Sequence, residues 1–432
     1  MKHLSIFTIF LLLPLTNIVS QTVMDTVYTL PKIKRSTEFA TMTYGVDVLT
    51  LGRSTTTLDG RNVNLSNRFM PRLNIGGLHF WGHADFYVTF PLGLSLGSNS
   101  SEVAKFKYQE GVETGAKIYP WPVKEGKIRP YVGASFQPMK FSYESNNVEN
   151  KYGGSTYSKF ITPIHLGFTY ASKSLLYNLN LRYTRNTSFE YYQSPNQTVA
   201  SQYSGLNVNI SLFKTFDTSK SLASEHQVDQ LNKKQFILKK ENSLSSWYWA
   251  LGPSSALEIS KSTHFKKNLP FLNSEMNNSF LVPELAVGRY FFKGDININA
   301  AFRYMHWNRS AFDTKVTMNR SSLAVEGYKF LLDYHGFVPY VGPSIMVDKL
   351  NYKENGKSIN QIKPVIGLVF GWDIRVSSTS SSVLRTNLRW TPNHHLKVND
   401  NKVMFDHLEF NFIQYVHFIG RNNIYRKYRT KK

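Results

Sequence analysis

The sequence has no cysteine. That absence excludes disulfide scaffolds, thiolate metal centres, cysteine nucleophiles and the lipidated cysteine of a lipoprotein. Acidic residues are scarce as well: 29 Asp and Glu stand against 51 Lys and Arg in 432 residues, a formal net charge of +22. Such an excess suits nucleic acid, acidic polysaccharide or a lipopolysaccharide-bearing surface, and charge alone does not choose among them. Long apolar runs are also missing. Beyond the N-terminus no stretch approaches the roughly 18 residues of a membrane helix, and a mean hydropathy of −0.31 excludes a polytopic helical membrane protein. Aromatic residues are plentiful, with 25 Tyr, 30 Phe and 7 Trp, and a 41% hydrophobic content is enough to bury a large core.

Residues 1–20 settle the compartment. Lys2 and His3 precede an apolar stretch from Leu4 to Leu15 that is broken by Pro14, and Ser20 before Gln21 offers a cleavage position. About 12 apolar residues fall short of the roughly 20 that span a bilayer, so the segment reads as a secretory signal rather than an anchor helix. Export removes nucleic acid from the reachable partners. If the chain meets a membrane again, it must do so as strands.

Strand pattern fills the rest. In residues 177–184 the odd positions are apolar or aromatic and the even ones polar, and the same period of two runs through 205–212, 295–304 and 384–390. A secreted β-sandwich alternates too, but it has no reason to alternate its connectors. Here long polar stretches at 53–68, 96–104, 143–158 and 185–202 interleave with short turns at 81–83, 120–126 and 171–174. Long outer loops, short periplasmic turns and alternating segments of about 10 residues are the plan of an outer-membrane barrel. Aromatics such as Trp81, Tyr119, Trp121, Tyr170, Phe291 and Trp372 recur at the short-turn ends and read as an interfacial girdle.

The pattern is written twice. Pro130-Tyr131-Val132-Gly133 recurs as Pro339-Tyr340-Val341-Gly342, an offset of 340 − 131 = 209. Asn180-Leu181-Arg182-Tyr183 recurs as Asn387-Leu388-Arg389-Trp390 at 389 − 182 = 207, and Gly115-Ala116-Lys117 matches Gly327-Tyr328-Lys329 at 327 − 115 = 212. Each half resembles the small eight-stranded outer-membrane barrels of the outer-membrane protein A and X type, a family that holds anchors, adhesins, small pores and a few enzymes. The resemblance implies an all-β transmembrane antiparallel barrel of about 16 strands. The division is a signal at 1–20, a first half at 21–216, a periplasmic linker at 217–246, a second half at 247–420 and a basic periplasmic tail at 421–432. One sixteen-strand barrel is the favoured closure, with two tandem eight-strand barrels as the alternative; the linker reads as a disordered connection or, on a weak apolar spacing of Leu222, Val228, Leu231 and Phe236, as a helix. In the family a terminal aromatic closes the last strand; here the tail follows, leaving Phe418 for that role.

Parity then proposes a lumen. With Leu181 and Leu388 facing lipid, the inner faces receive His83, Asp85, Glu113, Lys117, Arg182, Asp295, Arg303, Lys329, Arg385 and Arg389, with bases in excess, while Glu326 falls on the lipid side. Such a lining is either a salt-bridge network that holds the wall rigid or an anion-preferring pore. A surface-recognition or adhesin role through the Asn-, Ser- and Tyr-rich loops is a further reading. A lipid- or peptide-hydrolysing site would draw on His394, His395 and Asp400, or on His306, Ser310 and Asp313, but no nucleophile-elbow, zinc or phosphate-loop spacing accompanies them. The expectation is a non-enzymatic outer-membrane protein without cofactor or metal. Its expected partners are outer-membrane lipids and lipopolysaccharide, a small anionic solute, and an anionic envelope polymer at the tail; nucleic acid is not among them.

Overall fold

Two-faced strands leave no stable open edge in lipid, so they close. The computed structural model describes residues 40–424 except 52–53, 59–60, 66–67, 93–98, 101–103, 146–150, 186, 218–224, 259, 274–278, 333–336, 375–379 and 406. The first ring contains β1 (Ala40–Leu51), β2 (Arg68–His79), β3 (Ala84–Pro91), β4 (Glu113–Ile118), β5 (Ile128–Ser145), β6 (Ile164–Ser172), β7 (Leu175–Tyr183) and β8 (Leu206–Asp217). Each strand pairs antiparallel with the next, and β8 returns to β1 with Ile210 opposite Val48. The second ring contains β9 (Ser246–Glu258), β10 (Ser279–Phe291), β11 (Ile296–Ala311), β12 (Thr314–Phe330), β13 (Phe337–Glu354), β14 (Lys357–Ile374), β15 (Ser382–Thr391) and β16 (His407–Phe418). It is a closed barrel in which Val416 of β16 lies opposite Ala250 of β9.

The favoured single closure is therefore corrected: the chain forms two rings of eight. Because β8 meets β1 before the chain enters the linker, the first half has already satisfied its own edges. The linker carries helix α1 (Glu225–Lys240), which buries Leu238 and resolves the choice between coil and helix in favour of the helix. The signal at 1–20 lies outside the described residues, as does 425–432 of the tail. Arg421, which was assigned to that tail, is instead buried: it donates to Ser246 Oγ and to the carbonyls of Leu244 and Ser380 at 2.8 Å, with its guanidinium 3.7 Å from the Phe418 ring centre.

Both rings invert the order of a soluble protein. Leu166, Leu179, Leu181, Ile210, Leu285, Phe302, Leu323, Ile345 and Ile366 are exposed on the outside, while charged residues fill the inside. Inward tyrosines face glycines on the next strand: Tyr131 stands opposite Gly167, Tyr340 opposite Gly371 and Tyr248 opposite Gly288. A Cβ on Gly288 would lie 2.5 Å from the Tyr248 ring, and one on Gly371 would lie 2.1 Å from the Thr386 carbonyl oxygen. These close approaches let a narrow ring hold whole aromatic side chains.

Apolar clusters pack at both ends of each ring. At the outer end of the first ring Leu49, Met70, Phe106, Phe141, Phe189 and Tyr191 pack under strand extensions that include Ala104–Glu110, Thr156–Ile161 and Ser188–Ser194. The second ring is covered by α2 (Thr263–Asn268), α3 (Pro270–Asn273) and the hairpin His395–Val398 with Asn401–Met404; Phe265, Leu272, Trp307, Leu396 and Phe405 form its plug. Leu78, Tyr119 and Phe213 close the inner end of one ring, and Tyr290, Phe330 and Phe418 that of the other. The outer ends touch, since Tyr152 N–H donates to Phe312 O at 2.9 Å and Phe312 N–H to Gly153 O at 2.8 Å.

Candidate functional site: the charged interiors

Between its apolar ends each ring holds a layer of ionic side chains. In the first, β2 carries Arg72 inward, where it donates to both carboxylate oxygens of Asp47 on β1 at 2.8 and 2.7 Å and to Glu113 on β4 at 2.5 Å. Tyr87 donates to Glu113 at 2.9 Å and Asn209 to Asp47 at 3.1 Å. Lys117 donates to Asp85 at 2.9 Å while its ammonium lies 4.8 Å from the Tyr87 ring centre. Arg182 and Gln137 meet on Glu110.

The second layer is denser in arginine. Arg389 on β15 grips Glu284 on β10 through two bonds of 2.8 and 2.6 Å and reaches Glu326 on β12 at 2.6 Å. Arg303 joins Glu326 at 2.8 Å and Glu409 at 3.3 Å, and Arg320 bridges Asp348 and Glu409. Arg385 binds Asp373 in the same forked way at 2.6 and 2.9 Å and donates to Tyr328. Asn411 and Gln414 complete the shell of Glu284. The charged members of these wall pairs have side chains no more than 5% exposed. Forked, charge-assisted pairing is what makes so many buried ions tolerable.

Asp85, Glu113, Lys117, Arg182, Arg303, Arg385 and Arg389 occupy these inner walls. Three others assigned to the lumen do not. His83 is exposed in the β2–β3 turn, its Nδ1 3.0 Å from the Tyr119 carbonyl. Asp295 sits in the β10–β11 turn at φ 47° and accepts from Tyr290 at 2.6 Å. Lys329 faces outward and donates to Gly294 O. Its misplacement has a simple cause: offsets of 209 and 207 differ by an even number and preserve which face a residue points to, whereas 212 flips it. For the same reason Glu326, which parity had put on the lipid side, is buried inside.

The expected excess of inner bases is likewise corrected. Among the described buried wall residues, Arg72, Lys117 and Arg182 face Asp47, Asp85, Glu110 and Glu113 in one ring, and Arg303, Arg320, Arg385 and Arg389 face Glu284, Glu326, Asp348, Asp373 and Glu409 in the other. With Arg309, which is also buried on β11, the second ring is balanced at five of each, and in the first the acids outnumber the bases by one. Asp47, Arg72, Glu284 and Asp373 escaped notice in the sequence, although Asp47 between outward Val46 and Val48 carries the parity signal that would have found it.

Among the described residues, the histidines singled out in the sequence lie in separate surroundings. His394 is buried with Nε2 2.9 Å from Asp348, a carboxylate that also accepts from Ser322; burial pushes its imidazole below the ordinary value. His395 Nδ1 lies 3.1 Å from Asn393 O in a surface turn, where Asp400 is also exposed. His306 lies outside the ring between Asn308 and Asn319, and Asp313 accepts from Lys151 N–H. Inside the first ring Ser135, His165 and Glu113 do come together, but the hydroxyl and the carboxylate approach the same nitrogen, Nε2, at 2.7 and 3.4 Å. A proton relay needs them on opposite nitrogens.

No protein-family model and no curated protein matches the sequence. Among solved structures, the chain is similar to Neisserial surface protein A at 16% identity, covering 40% of this chain and 96% of that one with a TM-score of 0.29. It is also similar to Ail, the attachment invasion locus protein of Yersinia pestis, at 10% identity, with 40% and 97% covered and a TM-score of 0.25. An outer-membrane channel from Pseudomonas putida F1 matches at 8% identity over 88% of this chain and 96% of its own, with a TM-score of 0.20. Two antiparallel rings of eight strands, apolar outside and charged inside, have by themselves the architecture of an outer-membrane β-barrel.

Proposed function

We infer that the chain is a non-conducting, non-enzymatic outer-membrane protein, exported through a cleaved signal, whose paired rings hold two touching lobes at the cell surface for recognition. Duplication of one eight-strand unit accounts for the sequence repeats. The observation that carries this reading is the ionic layer: its acids and bases bind one another between the strands of each ring, in the second as far apart as Arg320 on β12 and Glu409 on β16, with apolar clusters above and below. An eight-stranded ring has an interior about as wide as the side chains that fill it. A solute would have to displace forked arginine–carboxylate pairs that tie the strands of the wall to one another.

Single-channel recording of the purified mature protein in a planar bilayer tests the reading. The expected trace is silent. Reproducible unit steps would return the chain to the pores, and a reversal potential in a salt gradient would then report the charge of its lining. Recognition is tested separately by removing residues 188–202 of the first ring's extension, which is expected to abolish surface adhesion while both rings remain folded.

A further inference from the structure

The second ring carries an unusual outer face. Strands β11 to β14 are 16, 17, 18 and 18 residues long, against the roughly 10 residues that cross an outer membrane. Their outer halves therefore rise past the hydrocarbon. On the outside of that rise the side chains form a row of polar groups running from strand to strand. His306 meets Asn319 and Asn308, at 2.5 and 2.8 Å. Thr317 donates to Asn308 at 2.9 Å, Asn319 approaches Asn351 at 3.4 Å, and Asn351 donates to Asn360 at 2.6 Å and Ser358 at 3.1 Å.

Two lysines flank this row on β13. Lys349 and Lys353 are both exposed and bracket Asn351 on the same face, about 13 Å apart along the strand. Lys349 lies opposite Ser321 and Ile362, and Lys353 opposite Thr317 and Ser358. No acidic residue lies among the outward positions of this face that the structure describes; Asp348 points inward to Arg320 and Glu354 is engaged by His264 and Tyr352. Directly below, Tyr304, Leu323, Val325, Ile345, Val347 and Ile366 are exposed and apolar. A molecule fitting this face has acyl chains at its lower end, hydroxyl-rich polar groups in the middle and negative charge beside the lysines.

We propose that this face of the second ring binds the phosphorylated sugar headgroup of an outer-leaflet glycolipid, with Lys349 and Lys353 taking phosphate and the asparagine row taking sugar hydroxyls. The proposal rests on the outer-membrane placement inferred above, but not on whether the rings conduct. The near balance of charge inside both rings supports it, because the excess of bases is then carried outside them, and these lysines stand where a lipid phosphate meets them.

The test uses full-length protein in detergent micelles, read by native mass spectrometry and titrated with bisphosphorylated lipid A, with the same lipid stripped of phosphate, and with phosphatidylglycerol. The bisphosphorylated lipid is expected to bind at least about tenfold tighter than either of the others. The double variant K349S/K353S removes that preference, N319A/N351A weakens binding a few-fold, and K266S/K267S on the exposed helix of the cap leaves it unchanged. Equal binding of phosphatidylglycerol, or an undiminished preference in K349S/K353S, overturns the proposal. Heat-dependent gel migration of each variant separates a failure to fold from a loss of binding. Conductance recorded on the same preparation reports on the functional reading independently.

Discussion

The two rings solve one problem with different materials. Each surrounds a polar layer with apolar clusters at both ends, yet the first relies on two arginines and a lysine under an aromatic-rich roof of strand extensions, whereas the second uses five arginines under two short helices and a hairpin. The strand schedule differs too: β6 and β7 have 9 residues each, and β13 and β14 have 18. The difference teaches that closure and the ionic layer are the shared design, while what rises above the membrane is free to vary. A wall segment must satisfy every backbone group in lipid, but an outer extension has water for a partner.

The comparison breaks most readily at its ionic layers. Replacing Arg389 with Ala leaves Glu284 and Glu326 buried with fewer counter-charges and is expected to cost the second ring about 3–5 kcal/mol, read by urea unfolding in detergent. If the first ring keeps its own transition, the two closures are energetically independent; if both melt together, they form one cooperative unit. Lys117→Ala strands Asp85 alone in the first ring and is expected to cost about 3 kcal/mol. Gly371→Ala pushes a methyl against the Thr386 carbonyl and the Tyr340 hydroxyl, an overpacking expected to cost about 2 kcal/mol in the same assay. Lys329→Ala changes stability by less than about 0.5 kcal/mol, because the side chain stands outside the wall. The contrast between Lys117 and Lys329, which the repeat aligns with each other, is the sharpest check on the corrected register.

Much of the fold was legible from period and connector length. Alternation around Leu179 and Leu181 marks strands, and the long–short rhythm marks a barrel. The number of rings was not legible, because it depends on whether β8 finds β1 or β9, a pairing between distant segments that no local pattern encodes. The ionic layer was half legible: residues flanked by strong alternation, such as Arg182 and Arg389, are buried inside their rings, while those beside turns, such as His83 and Asp295, are not. The asparagine row was hidden for a different reason. Once a strand leaves the hydrocarbon its outer face turns polar, alternation fades, and stretches of β11 to β14 such as 306–321 and 352–361 look like loops.

The tyrosines that stand opposite glycines have a consequence for how the rings assemble. A strand that slides by one residue against its neighbour brings Tyr131 or Tyr340 against a residue with a side chain and turns every charged group toward the acyl chains. Each ring thus carries a keyed edge, a ring-and-notch fit that accepts one alignment and rejects its neighbours. Enlarging Gly167 or Gly371 would stiffen the key, so that the last seam zips more slowly rather than closing in the wrong order.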